Sequence, residues 1–354
     1  MDRYAILLHH IGVTHKKLHL LWDMGEDFEA MYTNLSFEKL KMVYEKPEQI
    51  EKILEAKRNI EEEKIFSTLE KLWVTPILFD TPKYPTLLKQ LYSPPFILYV
   101  QWTLDNRPTL WVVWSRKMTD YGKKVIENIV PDVAKYFTIV SGGAFGCDTY
   151  AHQVTLKAKQ KTIVVVGTGI DIVYPQVNES LYKQVIDTGG AVVSIFPLGT
   201  SGSNFTFPMR NEIIAGISQW VLVVEAAKES GSLITAKLAL DQSREVFAIP
   251  WDIFHTNSAG CTELIKKGEA KLVSRSQDIL EEYNIALEWQ TTLPTFQFSQ
   301  DERYIYEILT TEEKSIDTLA KTLWKDVGSV SVYLSSLELK GAVVKLSTGK
   351  YQIR

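Results

Sequence analysis

The stretch Ser141-Gly142-Gly143-Ala144-Phe145-Gly146-Cys147-Asp148, with Ala151 and His152 just beyond, carries the residue types best suited to chemistry. Small residues let a ligand come close to the backbone. The β-branched and aromatic run 137–140 reads as a buried parallel strand, and Asp148 can cap a helix running to about Gln160. A turn from strand to helix aims backbone N–H groups and the positive helix end outward, which suits a phosphate. Tight turning alone would also call for Gly142 and Gly143. The spacing matches neither G-x-G-x-x-G nor G-x-x-x-x-G-K-[ST].

Other segments share this character. Ser115-Arg116-Lys117 offers a hydroxyl and two cations, and Gly167-Thr168-Gly169 leads a second glycine turn through Tyr174-Pro175. Phe205 and Phe207 precede Arg210 and Asn211 at a helix start, a composition suited to single-stranded nucleic acid, whose bases stack on rings and whose phosphates pair with arginine. Glu225 is followed by Ser230-Gly231-Ser232 and Thr235, either a third oxyanion-binding turn or a capped helix start.

These segments need elements to hold them. Residues 109–275 alternate short apolar runs with helical patterns, giving strands at 110–114, 138–140, 162–166, 191–195, 221–224 and 246–249. That alternation predicts a doubly wound parallel sheet. Ligands in such sheets sit outside the carboxyl ends of the strands, and the segments above follow those ends.

The 354 residues are 45% hydrophobic, enough to bury a core, and the net charge of -4 gives no global reason to expect nucleic acid. Basic and acidic residues nearly balance over 109–275 and 296–354, so the surplus acid lies in the N-terminal part and the linker. Two cysteines, Cys147 and Cys261, make neither a disulfide framework nor a metal set, and they suit a reducing compartment. Neither a signal peptide nor a membrane span is expected.

Residues 1–75 read as a helical module of the SAM or helix-hairpin-helix kind, with one long helix over 47–72 and packing favoured over DNA contact. His9, His10, His15 and His19 lack the neighbours a metal site needs. Residues 76–108 form a proline-marked connector ahead of a strand at 96–100 and belong with the 76–277 core. A linker covers 278–298. Residues 299–354 give three helices and a hairpin, a winged helix whose third helix shows Ser329, Ser331, Ser335 and Ser336 in place of a basic row.

Tyr84-Pro85 with Pro94-Pro95, Ser115-Arg116, 141–152, 167–175, 207–215, Glu225 with 230–236, and 246–250 leading to Gly260 together resemble the DNA-processing protein A (DprA/Smf) family in order and spacing. The resemblance covers roughly 80–345. It implies an extended Rossmann-like core that binds single-stranded DNA and loads the RecA recombinase in natural transformation and recombination. It further implies a homodimer formed through the core. The residue readings add a cytoplasmic protein with no cofactor, metal or catalysis. The site it implies comprises Ser115, Arg116, Ser141, Gly142, Gly143, Phe145, Lys183, Phe205, Arg210, Asn211, Ser230, Gly231 and Ser232.

The sequence departs from the family pattern in several places. Trp114 stands where glycine is usual, Phe145 and Glu212 where arginine is usual, and Cys147 where an aliphatic residue is usual. Trp251 replaces the glycine after Pro250, and the segment after Pro175 leaves Lys183 as its nearest cation. These changes weaken the electrostatic half of a phosphate site. Two alternatives use the same residues. One is a nucleotide hydrolase, for which the chain lacks a P-G-G-x-G-T-x-x-E segment and a nucleophile beside Asp148 and His152. The other is a structural adaptor with little DNA binding.

Overall fold

A computed structural model describes residues 3–104, 107–113, 119–228, 230–252, 254–283, 298–310, 312–346 and 348–353. The chain divides into two compact units, 1–286 and 287–354.

The first unit is built on a nine-stranded sheet. Its strands are β1 (Val74–Leu78), β2 (Ile97–Trp102), β3 (Thr109–Val113), β4 (Thr138–Ser141), β5 (Thr162–Val165), β6 (Ala191–Ser194), β7 (Trp220–Val223), β8 (Glu245–Ala248) and β9 (Lys271–Leu272). Their spatial order is β1-β2-β6-β5-β4-β3-β7-β8-β9. Pairing is parallel from β6 to β9, while β2 runs antiparallel to β6 and β1 antiparallel to β2. Strands β3 to β7 are buried along their whole length, which explains their near-continuous apolar sequences. The six expected strands are β3 to β8, each within one residue at either end.

Strands β1 and β9 are additions to that expectation. Pro76 within β1 cannot donate to a ladder, and β1 lies at the sheet edge where this is tolerated. The connector therefore contributes two antiparallel strands to the sheet. The expected 47–72 helix is two helices, Pro47–Asn59 and Glu62–Lys71, separated by the extended Ile60. No glycine or proline marks the break, and Ile60 packs against the core.

The N-terminal helices share one apolar cluster with the sheet, joining Leu7, Leu18 and Phe28 to Phe96, Tyr99 and Val164. The histidines serve this junction. His15 Nε2 donates to Ile195 O (2.7 Å) while its Nδ1 accepts from Phe96 N (3.1 Å). His9 Nδ1 meets the Tyr99 hydroxyl at 2.9 Å, and His19 Nε2 donates to Pro94 O at 3.0 Å. Among the described residues no cluster of His, Cys, Asp or Glu could hold a metal ion, and no helix is long and apolar enough to cross a membrane.

Strand order reverses at β3. The chain lays β4, β5 and β6 on one side and β7, β8 and β9 on the other, leaving a crevice at the carboxyl ends. Thr119 donates to the buried Glu225 carboxylate, tying the chain after β3 to the end of β7.

The second unit holds the helices Gln300–Leu309, Ile316–Leu323 and Val327–Leu339, and a sheet of β10 (Lys314–Ser315), β11 (Val343–Lys345) and β12 (Lys350–Ile353) in the order β10-β12-β11. Ser299, Ser315 and Asp326 cap the three helices. Leu319, Val330, Leu334 and Leu337 form its core, and Lys340 pairs with Glu302 at 2.7 Å.

Candidate nucleic-acid interface

The glycine turn leaves β4 at the carboxyl edge, and most of its polar groups are engaged within the protein. The Asp148 Oδ2 accepts from Gly142 N (3.1 Å) and Ala144 N (3.2 Å). Two N–H groups expected to face a phosphate therefore hold a carboxylate. Asp148 also does not cap the helix Cys147–Lys157, since Gly146, at φ +94°, occupies that position. Asp148 lies in the first turn and folds back over the loop.

Arg210 reaches the same loop from the helix Thr206–Ile217. Its Nη1 donates to Gly142 O and, at 2.8 Å, to Val165 O, joining the ends of β4 and β5. Only 6% of Arg210 is exposed, which corrects the expectation of a free phosphate contact. The helix turns this residue inward, where strand-end carbonyls take its hydrogens. Burial lowers its pKa, and the nearby Asp148 charge opposes that shift.

This packing makes glycine necessary at both positions. A Cβ on Gly142 would lie 2.1 Å from Arg210 Nη1. Gly143 has φ +64°, and a Cβ there would lie 2.8 Å from both the Tyr182 hydroxyl oxygen and Val164 Cγ1. Asn178 Nδ2 donates to Gly143 O at 2.9 Å and completes the support.

The residues beneath the turn are closed to solvent. Ser141 is fully buried and donates to Val112 O. His152 is fully buried, with Nδ1 2.7 Å from Thr162 Oγ1. The Thr162 hydroxyl donates to Ile139 O, so His152 Nδ1 carries the hydrogen between them. Burial, helped by the Arg210 charge, pushes the His152 pKa down to about 3. This neutral, enclosed imidazole forms no acid–base pair with Asp148.

The second glycine turn is also a packing device. Gly167 makes room for the Phe207 ring, and Gly169 for Pro197 O and Gly199 N. Phe207 lies 5.5 Å from Tyr174 between ring centres, with the Arg210 guanidinium carbon 5.9 Å from its own. The helix Gly231–Asp241 begins after Ser230, and the Ser230 and Ser232 hydroxyls are buried without a partner. Gly231 is exposed, but Ser232 does not present its hydroxyl to solvent as expected.

What faces outward is aromatic. Phe145 is 77% exposed and Phe205 83% exposed, with Tyr174 and Met209 also open. Lys183 is exposed on the helix that carries Tyr182, and Asn211 is half-buried. Ser115 and Arg116 lie outside the described residues, as does Trp114.

The family model described as DNA recombination-mediator protein A matches residues 75–284, more than half of the chain. The chain belongs to the DNA-processing protein A family. It is 42% identical over 202 residues to the DNA processing protein DprA of Streptococcus pneumoniae, covering 56% of this chain and 71% of that protein. It is 36% identical over 286 residues to Protein Smf of Escherichia coli, covering 78% and 76% respectively. The X-ray structure of the Streptococcus pneumoniae DprA superposes with a TM-score of 0.66 at 34% identity, covering 80% of this chain and 98% of that one. The Helicobacter pylori DNA processing protein A, solved for its single-stranded DNA binding mode, gives a TM-score of 0.52 at 26% identity, covering 59% and 96%.

Within this DNA-processing core the substituted positions change the surface. Phe145 presents an exposed ring, and Glu212 is an exposed acid. Trp251 stacks on Tyr121 at 4.7 Å and on His255 at 3.8 Å, beside Phe254, which is 89% exposed. Only the Pro250-Trp251 departure hinted at this second aromatic group. Nothing in the sequence spacing announced the role of Asp148 in the loop.

Proposed function

We propose that this chain binds single-stranded DNA along the carboxyl edge of its Rossmann-like core. The exposed Phe145 and Phe205, in the connections that leave β4 and β6 on either side of β5, carry this reading. Rings open to solvent at the edge of a DNA-processing fold offer stacking faces to unpaired bases, which a duplex keeps covered. Lys183 and Asn211 supply polar contacts to the backbone, joined by Ser115 and Arg116, which follow β3 in the sequence. The internally engaged Arg210, Gly142 and Gly143 hold the edge in shape. This assigns stacking a larger share, and phosphate pairing a smaller one, than a cation-rich pocket would have.

In the same reading the chain forms a homodimer through the core and loads a RecA-type recombinase onto the strand in transformation and recombination. The 299–354 segment acts as a winged-helix module, and the protein works in the cytoplasm without catalysis. The test is a titration of a labelled oligonucleotide with the full chain and with Phe145→Ala and Phe205→Ala. Each substitution is expected to weaken binding by about 1–3 kcal/mol. Unchanged affinity in both would remove the rings from the site.

A further inference from the structure

The helix Thr206–Ile217 separates two features. One side turns Arg210 toward Gly142 and Phe207 toward Gly167. Met209, Glu212 and Ile213, at the i, i+3, i+4 spacing of another face, line a cleft of about 390 Å³ against the N-terminal helices. That volume lies in the range of small-molecule sites, about 300–1,000 Å³. Val13 and Phe196 contribute apolar surface. His15 lines it too, and both of its ring nitrogens already bond to backbone groups, so it offers a flat ring with no free polar atom.

The rim carries two exposed charges from different elements, Lys16 on the N-terminal side and Glu212 on the core side. Among the described residues neither side chain has an ion-pair partner. A free carboxylate beside a polyanion is repulsive unless the ligand brings it a hydrogen. Exocyclic amines of bases do so, and Glu is a recognised acceptor for the cytosine N4 amine.

We infer that this cleft takes one base of the bound single strand, with Glu212 favouring an amino-bearing base such as cytosine over thymine and Lys16 meeting the adjoining phosphate. The inference rests on the single-strand reading above. A strand stacked on Phe205 at the head of the helix reaches the cleft by passing Met209, which is 45% exposed. Thymine places a carbonyl oxygen where cytosine has its amine, so the carboxylate repels it.

The experiment compares labelled 20-mers of deoxycytidine and thymidine, bound by the full chain, Glu212→Ala and Met209→Trp. The quantity read is the ratio of the thymidine to the deoxycytidine dissociation constant. Glu212→Ala is expected to lower this ratio at least fivefold, and Met209→Trp, which fills the cleft mouth, to lower it likewise. Both sites are exposed, and an unchanged melting temperature verifies the fold. A ratio unmoved by Glu212→Ala overturns the inference while leaving single-strand binding intact. Failure of both oligonucleotides to bind the parent chain overturns both.

Discussion

Arg210 and Asp148 grip opposite ends of one residue: the arginine takes the Gly142 carbonyl and the aspartate takes its N–H. Across the glycine the Asp148 charge also opposes the effect of burial on Arg210. The turn that resembles a phosphate cradle is thus built around two opposite charges held on either side of Gly142, and Asp148 stands in the place of an anion. Asp148→Ala strands two loop N–H groups and leaves a buried guanidinium without its counter-charge. The expected cost is about 2–4 kcal/mol of stability, read as a lowered urea midpoint. Removing Arg210 as well should cost less than the sum of the single changes, a coupling of at least about 1 kcal/mol.

Gly143→Ala tests the loop from the other side. Its positive φ and the 2.8 Å approach to Tyr182 and Val164 leave no room for a methyl group. A loss of about 1–3 kcal/mol is expected from strain and overpacking. Gly231→Ala, with open space around it, should change stability by less than about 0.5 kcal/mol.

Acid should loosen the first unit through its buried histidines. Burial pushes His15 down to about 4 and His152 to about 3, from an ordinary value of 6.5. Burial also lowers His9, beside His15 and His10. Between the folded and unfolded values the unfolded chain binds more protons, so stability rises with pH there. The full contribution is present above about pH 6.5 and declines as pH falls toward 4 and 3. Each such histidine contributes about 1.4 kcal/mol per pH unit inside its window. Urea midpoints at pH 7.5, 6 and 5 should be level at first and then drop, and the drop should shrink in His152→Gln.

Much of the fold was legible because the parallel strands are buried on both faces and so appear as unbroken runs, as in the Thr-Ile-Val-Val of β5. The short β9 and the proline-bearing β1 gave no such run, and the break at Ile60 lacks any punctuating residue. For the site, the sequence indicated which segments meet at the edge. It could not indicate which polar groups are spent internally. Arg210 and Phe205 sit five residues apart, yet the helix turns one inside and leaves the other in solvent. Asp148 resembled a cap because its type and position suit one, and only the packed loop shows it reaching backward.

The second unit should be dispensable for single-strand binding. Its helix Val327–Leu339 has no lysine or arginine, and nonspecific affinity comes mainly from such residues. A chain ending at residue 286 should hold its oligonucleotide affinity within about tenfold, or 1.4 kcal/mol, at moderate salt. A larger loss, with the shortened chain still folded, would assign the second unit a direct contact.

The central claim is tested most directly by measuring the affinity of the full chain for one oligonucleotide of about 20 nucleotides, as a single strand and as a duplex, across a salt series. The account predicts that the single strand binds at least about tenfold more tightly, and that log affinity falls linearly with log salt at a slope reporting only a few phosphate contacts, because stacking supplies much of the energy. Equal or tighter binding of the duplex, or no binding of the single strand at low salt, would contradict it.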